Sequence, residues 1–302
     1  TYYGDEICYV NGIGYARDVL ADVIRYRMAR AESAGRFGGG GASETQGPQE
    51  YTLKQSPWSS HGRILSWLSG RSSRRVLDIG CSSGLLSAAM KEMGHEVTGI
   101  DAAAFPAAAR RMHRFVQADL DHGIPEEVGS GFDVVIAGDV LEHVRHPELI
   151  LTQIRDLLTP DGLALISLPS FSHWYPRLRV AAGLFDYDEH GILDRGHVRF
   201  FTRRSFERMV REAGLRVNRV EPIGLPVEGV TDSKSASVSW LSRLDRALAT
   251  IYPSLFAYQH LFEVERETAC DVRKVAAAGP PRPRIAPVGL QPRVDARSAA
   301  AS

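Results

Sequence analysis

Residues 75–79, RVLDI, form a short apolar run that stops at a glycine-bearing turn. Residues 84–93, GLLSAAMKEM, then place Leu85, Leu86, Ala89, Met90 and Met93 at helical spacing. The pair reads as strand, turn and helix. Gly94 closes that helix, and HEVTGID at 95–101 supplies a second strand ending in an acid. A helix is expected after Pro106, and RFVQAD at 114–119 is a third strand. In FDVVIAG, 132–138, the apolar residues run on without alternating, as expected of a strand buried on both faces. Pro147 opens a helix, PELILTQIRDLL, at a first-turn position where its missing N–H costs nothing. TPDG at 159–162 has the residues of a type I turn, and LALISLP at 163–169 makes a fifth strand.

Strands that alternate with helices imply parallel pairing through right-handed crossovers. The body is therefore expected to be an α/β, doubly wound sheet with helices on both faces. Ligands of such sheets bind at the carboxyl ends of the strands. That rule gathers Asp78 to Gly84, Asp101, Asp119 and the stretch from Gly138 to His143 onto one rim, although they are scattered along the chain.

The pattern fails toward both ends. Residues 15–30 hold one amphipathic helix, and 34–50, rich in Gly, Ser and Gln, read as a flexible linker. Residues 278–302 carry prolines too often for a helix or a central strand and have little to bury. The expected organisation is an N-terminal helical segment over 1–33, a linker over 34–50, a folded domain over 51–270 and a disordered tail over 271–302. The first residue is Thr rather than Met, so a processed form or part of a longer polypeptide is expected.

Composition narrows the partners. Lys+Arg and Asp+Glu are 36 each, so the formal net charge is +0 and no global basic excess suits nucleic acid or an acidic membrane. No apolar stretch approaches the roughly 18 residues of a membrane span, and the first residues lack the regions of a signal peptide. Cys8, Cys81 and Cys270 lie too far apart for a disulfide framework or a metal-ligand motif, which fits a reducing cytoplasm.

The turn after the first strand is Asp78-Ile79-Gly80-Cys81-Ser82-Ser83-Gly84. Its glycines permit close backbone approach to a ligand. The D-x-G-x-x-x-G order differs from the G-x-G-x-x-G pyrophosphate cradle, because here an acid leads the glycines. Such an acid suits a cationic or hydrogen-bond-donating ligand and would repel a pyrophosphate. Asp101, at the end of the second strand, is placed to accept the hydroxyls of a ribose, and Asp119, after the third, the amino group of adenine. Together the acids suit an unphosphorylated, positively charged nucleoside.

Six stretches carry a resemblance to a known family: VLDIGCSSG at 76–84, VTGID at 97–101, QADL at 117–120, FDVVIAGDVLEHVRHP at 132–147, LTPDGLALISLP at 158–169 and HVRFFTRRSFERMVREAGL at 197–215. In these the chain resembles the class I S-adenosylmethionine-dependent methyltransferases, type 11/23, and among them the ubiquinone-biosynthesis O-methyltransferases. The likeness covers roughly residues 51–268. It implies a Rossmann-like, mostly parallel seven-stranded sheet with a final antiparallel strand, for which AYQHLFEVE at 257–265 is the candidate. It also implies S-adenosyl-L-methionine as cofactor. Asp78 belongs to the motif, Gly80 and Gly84 line the methionine part, Asp101 binds ribose, Asp119 and Leu120 flank adenine, and Gly138 meets the amino-acid end. Ser82 stands where the family has its middle glycine. A second resemblance lies in TYYGDEICYVNGIGYARDVL, at 1–20, which is similar to the closing segment of family 2 glycosyltransferases. It implies a fused glycosyltransferase and turns attention to a glycan or glycolipid acceptor.

Methyl transfer to a hydroxyl needs the nucleophile in line and a base for its proton. His143, in LEHVRHP beyond the fourth strand, is the candidate catalytic base, and a packing role against the next helix is its alternative. Residues 170–200 are an insertion rich in aromatic and charged residues that is expected to cover the acceptor. Its His173, His190 and His197 lack a fixed ligand spacing and read as pocket wall or surface, with no metal site expected. Trp58 and Arg63 either close over the cofactor or belong to a helix packed on the domain, and Phe200, Phe206 and Met209 read as core. The reading is an S-adenosylmethionine-dependent methyltransferase acting on a small molecule or glycan, most simply on oxygen. A nicotinamide-dependent oxidoreductase and a non-catalytic cofactor-binding scaffold are the alternatives.

Overall fold

Helices and strands alternate as the pattern requires. The structure, a computed structural model, describes residues 56–188, 190–225 and 236–267. The N-terminal helix, the linker, the glycosyltransferase-like stretch and the tail expected from the sequence lie outside the described residues. The elements are α1 (Ser60–Leu68), β1 (Arg75–Ile79), α2 (Leu85–Glu92), β2 (Glu96–Asp101), α3 (Ala108–Arg111), β3 (Arg114–Gln117), β4 (Phe132–Gly138) and α4 (Pro147–Leu157). They continue with β5 (Leu158–Pro169), α5 (Trp174–Ala181), α6 (Arg203–Glu212), β6 (Leu215–Ile223), α7 (Ala236–Ile251), α8 (Pro253–Phe256) and β7 (Gln259–Arg266).

The strands form one seven-stranded sheet in the order β3-β2-β1-β4-β5-β7-β6. β1 to β5 pair in parallel, and β7 runs antiparallel to both β5 and β6. The expected final antiparallel strand is present within 257–265 and extends to Arg266. Continuous apolar runs explain the parallel core: Val134, Val135, Ile136 and Ala137 of β4 are all buried, as a strand covered on both faces demands. One face of the sheet holds Leu77, Ile79, Val135, Ile166, Phe206 and Phe262, and the other Val76, Val97, Val134, Ile136, Leu165 and Leu261. The period-2 pleat sends alternate residues of each strand to opposite faces.

The TPDG stretch departs from expectation. β5 begins at Leu158 and runs through Thr159–Gly162 as irregular strand, with Phe132 opposite Leu158 and a register shift before Val134. Gly162 explains the tolerance, since a Cβ there would lie 2.8 Å from the Phe132 carbonyl oxygen. The edge helix α6 is defined by a capping box: the Thr202 side chain accepts from the Ser205 N–H, and the Ser205 hydroxyl accepts from the Thr202 N–H. Phe206 and Val210 then bury its apolar stripe. Phe206 is core as expected and Met209 is packed against it, whereas Phe200 joins the aromatic residues of the insertion.

Strand order sets the site. From β1 the chain winds outward to β2 and β3, then returns to place β4 on the other side of β1. The crevice between the carboxyl ends of β1 and β4 is the topological switch point, where doubly wound sheets take their ligands. Because β7 is antiparallel and pairs Gln259 with Pro169 of β5, its first residue enters the same rim.

Candidate active site

The loop from β1 to α2 is folded around Asp101. The Asp101 carboxylate accepts from the backbone N–H of Ser82 at 2.8 Å and of Ala103 at 2.9 Å, which ties the glycine turn to the end of β2. Ser82 takes a left-handed φ of 47°. Only glycine adopts that region freely, which gives a physical reason for a glycine at this position and shows what the serine tolerates. Gly80 and Gly84 are needed for space: a Cβ on Gly80 would lie 2.5 Å from Val140 Cγ2, and one on Gly84 2.8 Å from Met112 Cε. The turn can therefore press against the loop after β4 on one side and the end of α3 on the other.

Asp78 is turned inward. Its carboxylate accepts the Ser87 hydroxyl at 2.5 Å and is only 3 % exposed, so it fastens the turn to α2. Burial is the main cause that raises its pKa to about 7, against the Ser87 bond that lowers it. The linkage has a definite sign. Between the unfolded value of 3.8 and about 7 the folded chain holds a proton that the unfolded chain has lost, so this group's contribution to stability falls as pH rises through that window. Asp78→Asn keeps an acceptor for Ser87 and cannot ionise. Thermal melts from about pH 4 to 8 should show the variant gaining on the wild type as pH rises, with the gap levelling off above about pH 7. A gap that stays flat would show that Asp78 folds as a free carboxylate.

Asp101 is also raised by burial, opposed by its backbone bonds to Ala103, Ser82 and Ala102. A carboxylate offers about four lone-pair positions, so these three bonds leave capacity for a ribose hydroxyl. Asp119 accepts the Asp121 N–H at 3.0 Å as a turn cap and has Nδ1 of His122 at 3.7 Å. Leu120, beside it, is 3 % exposed and packs into the core. Gly138 closes β4 with nothing nearer its absent Cβ than Ser167 Oγ at 3.9 Å, so the rim stays open there.

Asp139 falls within the stretch from Gly138 to His143 that the sequence put on the rim, but it was given no role there; it has a left-handed φ of 57°. Its carboxylate is held by the Ser167 hydroxyl at 2.8 Å and by Gln259 Nε2 at 3.0 Å. Three strands converge on this acid: β4, β5 and β7. The adjoining glycine at a strand end was the one signal available in the sequence; nothing in it announced Gln259, 120 residues away.

His143 lies in the loop beyond β4, and Nδ1 is 3.0 Å from the carbonyl oxygen of Gly196. Its ring meets that of His197 edge to face, with centroids 4.8 Å apart. Burial lowers the pKa of His143, and the Gly196 bond, Asp194 and Asp139 push it back up. His197 is lowered by burial and then by His143. One ligand-type atom each of Glu142, His143 and His197 lies within 4.8 Å of the others, so His197 is a buried neighbour of His143. The two other histidines of the insertion do not join it: His173 caps α5, accepting from the Tyr175 N–H at 3.3 Å, and His190 is exposed. Phe171, Phe185, Tyr187 and Phe200 form a ring cluster that extends from His197, and Phe185 and Tyr187 are half exposed. Trp58 is half exposed under Arg246, and Arg63 pairs with Glu221 of β6.

A doubly wound sheet with an acid-led glycine turn at the switch point, a carboxylate at the end of β2 and no pyrophosphate cradle defines a nucleoside-cofactor transferase of the Rossmann-like kind. The chain belongs to the class I S-adenosylmethionine-dependent methyltransferases: the model of the methyltransferase domain family matches residues 57–220. A ubiquinone biosynthesis O-methyltransferase of Pseudomonas aeruginosa is 35% identical over 113 residues, which are 34% of this chain and 49% of that protein. One of Maricaulis maris is 29% identical over 171 residues, or 53% of this chain and 65% of that protein. The chain thus spans about half the length of the curated relatives it matches. Among solved structures, the magnesium protoporphyrin IX methyltransferase of Synechocystis with bound S-adenosylhomocysteine shares 16% identity over 84% of this chain and 99% of that one, with a TM-score of 0.48. Family membership sets aside the nicotinamide-dependent oxidoreductase.

Proposed function

We propose that the chain methylates a hydroxyl of a small molecule, with His143 as the base. The observation that carries this is the His143 imidazole at the switch-point rim, with Nδ1 committed to the Gly196 carbonyl, which leaves Nε2 as its basic nitrogen. Asp101 would hold the cofactor's ribose, Asp119 and Leu120 would border its adenine, and Gly80, Ser82, Gly84 and Gly138 would face its amino-acid part; Asp78 keeps the turn in shape. The donor set fits the group, because carboxylates with spare lone pairs suit hydroxyl donors and a cation. When bound, S-adenosylmethionine supplies an electrophilic methyl group. The protein's own tasks are to orient the acceptor, exclude water with the insertion and accept the hydroxyl proton at His143.

The half-exposed rings of Phe185 and Tyr187 beside the rim support an acceptor with a flat or apolar face. The O-methyltransferase names of the relatives support oxygen as the receiving atom. A sugar hydroxyl remains within this reading because of the glycosyltransferase-like N-terminal stretch, which lies outside the matched residues. A cytoplasmic location is part of it too, supported by the three widely spaced cysteines. No helix among the described residues is long and apolar enough to cross a membrane.

The test is labelled methyl transfer from S-adenosylmethionine into a panel of phenols, sugars and lipid extracts. A labelled ether that fails to form with His143→Gln supports the reading. Labelling on nitrogen or carbon overturns the hydroxyl, and cofactor binding without any product leaves a scaffold. Limited proteolysis tests the proposed domain: a fragment of about residues 51–270 should keep binding S-adenosylhomocysteine. Loss of binding on trimming would move that boundary.

A further inference from the structure

We propose that Asp194 and Gly196, on the returning limb of the insertion, form an acid–glycine–imidazole unit with His143, orienting its ring and setting a negative charge beside it. The inference deepens the reading of His143 as base and rests on it for its catalytic meaning. Backbone bonds clamp the limb onto the loop that carries His143. The N–H groups of Val198 and Arg199 donate to the Glu142 carbonyl at 2.9 and 3.0 Å, and the Arg199 guanidinium donates to the Arg145 carbonyl.

Within the limb one peptide link does the positioning. Its N–H, that of His197, donates to the backbone carbonyl of Asp194 at 3.1 Å. Its C=O, that of Gly196, accepts from His143 Nδ1 at 3.0 Å. A planar peptide fixed through its N–H cannot turn its C=O freely, so the direction offered to the imidazole is set by residue 194. The Asp194 carboxylate accepts the Gly196 N–H at 2.5 Å and braces the preceding link as well. Because a carbonyl oxygen only accepts, the bond requires the proton on Nδ1 and the lone pair on Nε2.

Gly196 makes the approach possible. A Cβ there would lie 3.0 Å from Asp194 Oδ1 and 3.3 Å from His143 Nδ1, so a side chain at this position presses on both the acid and the imidazole and requires them to shift by a few tenths of an ångström. The demand is for space, since no left-handed φ is recorded at this glycine. The charged and titratable groups around His143 are Asp139 at the end of β4, Glu142 in its own loop, and Asp194 and His197 on the limb. Asp139 binds Ser167 and Gln259, and Glu142 lies on the same loop as His143, so Asp194 is the acid that the limb itself brings. The arrangement keeps the logic of an oriented base beside an acid, with the Asp194 backbone carbonyl fixing the link that meets His143 and its carboxylate holding Gly196 through the preceding link. Asp194 and Gly196 are thus positioning residues, since neither reaches the reacting atoms.

The test reads His143 directly and needs no acceptor. In the full chain with labelled histidine, the His143 resonance is assigned by its loss in His143→Gln and followed against pH. Asp194→Asn keeps an acceptor for the Gly196 N–H and removes the charge, so the midpoint should fall by roughly half a pH unit or more. Gly196→Ala, the second variant, should displace the resonance and weaken the Nδ1-protonated form. A purely structural role of the limb would leave the midpoint in place. An unchanged His143 midpoint and tautomer in both variants overturns the proposal. So does a resonance that titrates only after a chelator is added, since His143 would then ligate a metal with Glu142 and His197. The base reading fails separately, if His143→Gln retains turnover whatever the resonance shows.

Discussion

His143→Ala should lower turnover by roughly 100-fold or more while S-adenosylhomocysteine binds as before. The proton must leave the acceptor hydroxyl as the new bond forms, and among the described residues His143 combines a rim position with a ring nitrogen left basic by its neighbour. The alanine variant also strips the Gly196 carbonyl of its donor, which costs about 1 kcal/mol of stability on its own. His143→Gln separates the two effects. Its amide can still donate to Gly196 but cannot act as a base, so the melting temperature should stay close to wild type while turnover falls as in the alanine variant. Burial holds the His143 pKa below its ordinary 6.5, so the wild-type rate should climb through the acid range and reach its plateau by neutral pH. A packing residue would give the opposite pattern: lower stability, a small change in turnover and a pH profile indifferent to the substitution. An acceptor already ionised at neutral pH would also escape the large loss, and its identity would show that.

Asp101→Ala should weaken both S-adenosylmethionine and S-adenosylhomocysteine by at least roughly tenfold, since hydrogen bonds to a charged group are worth about 1.5–3 kcal/mol. The structure adds a second loss. The same carboxylate holds the N–H groups of Ser82 in the glycine turn and of Ala103 after β2, so the variant takes an acceptor from both. The turn should loosen, with a fall in stability of about 1–3 kcal/mol as those part-buried donors lose their acceptor. Calorimetry with S-adenosylhomocysteine and a parallel thermal melt read the two consequences independently. Asp101→Asn divides them further: it retains an oxygen acceptor without the charge, and should recover part of the stability but less of the affinity. Unchanged affinity in the alanine variant would remove Asp101 from the cofactor site.

Much of this protein was legible in its sequence because the relevant forces are local. RVLDI, HEVTGID and FDVVIAG lie as strands where their apolar runs end in turns, and Pro147 starts α4 where a missing N–H is harmless. The rule that doubly wound sheets bind ligands at strand carboxyl ends then gathered Asp78, Asp101 and Gly138 without any coordinates. TPDG misled because its turn residues were judged alone; pairing with Phe132 across the sheet kept that stretch extended. His197 gave no sign of its neighbour for a related reason. In sequence it stands 54 positions from His143, and only the clamp of the limb onto the Glu142 carbonyl sets the two rings 4.8 Å apart.

What the sequence by itself determined is the alternation of elements, the acidic rim and the methyltransferase family, all set by short-range periodicity, turn chemistry and contiguous motifs. Only the tertiary structure decided that Asp78 faces inward to Ser87, that Gln259 and Ser167 hold Asp139, and that Gly196 binds both the Asp194 carboxylate and His143. Those contacts join residues from separate strands and an irregular limb, where no period relates one position to the next. Their geometry follows from strand order and from which backbone groups a folded loop leaves to be satisfied.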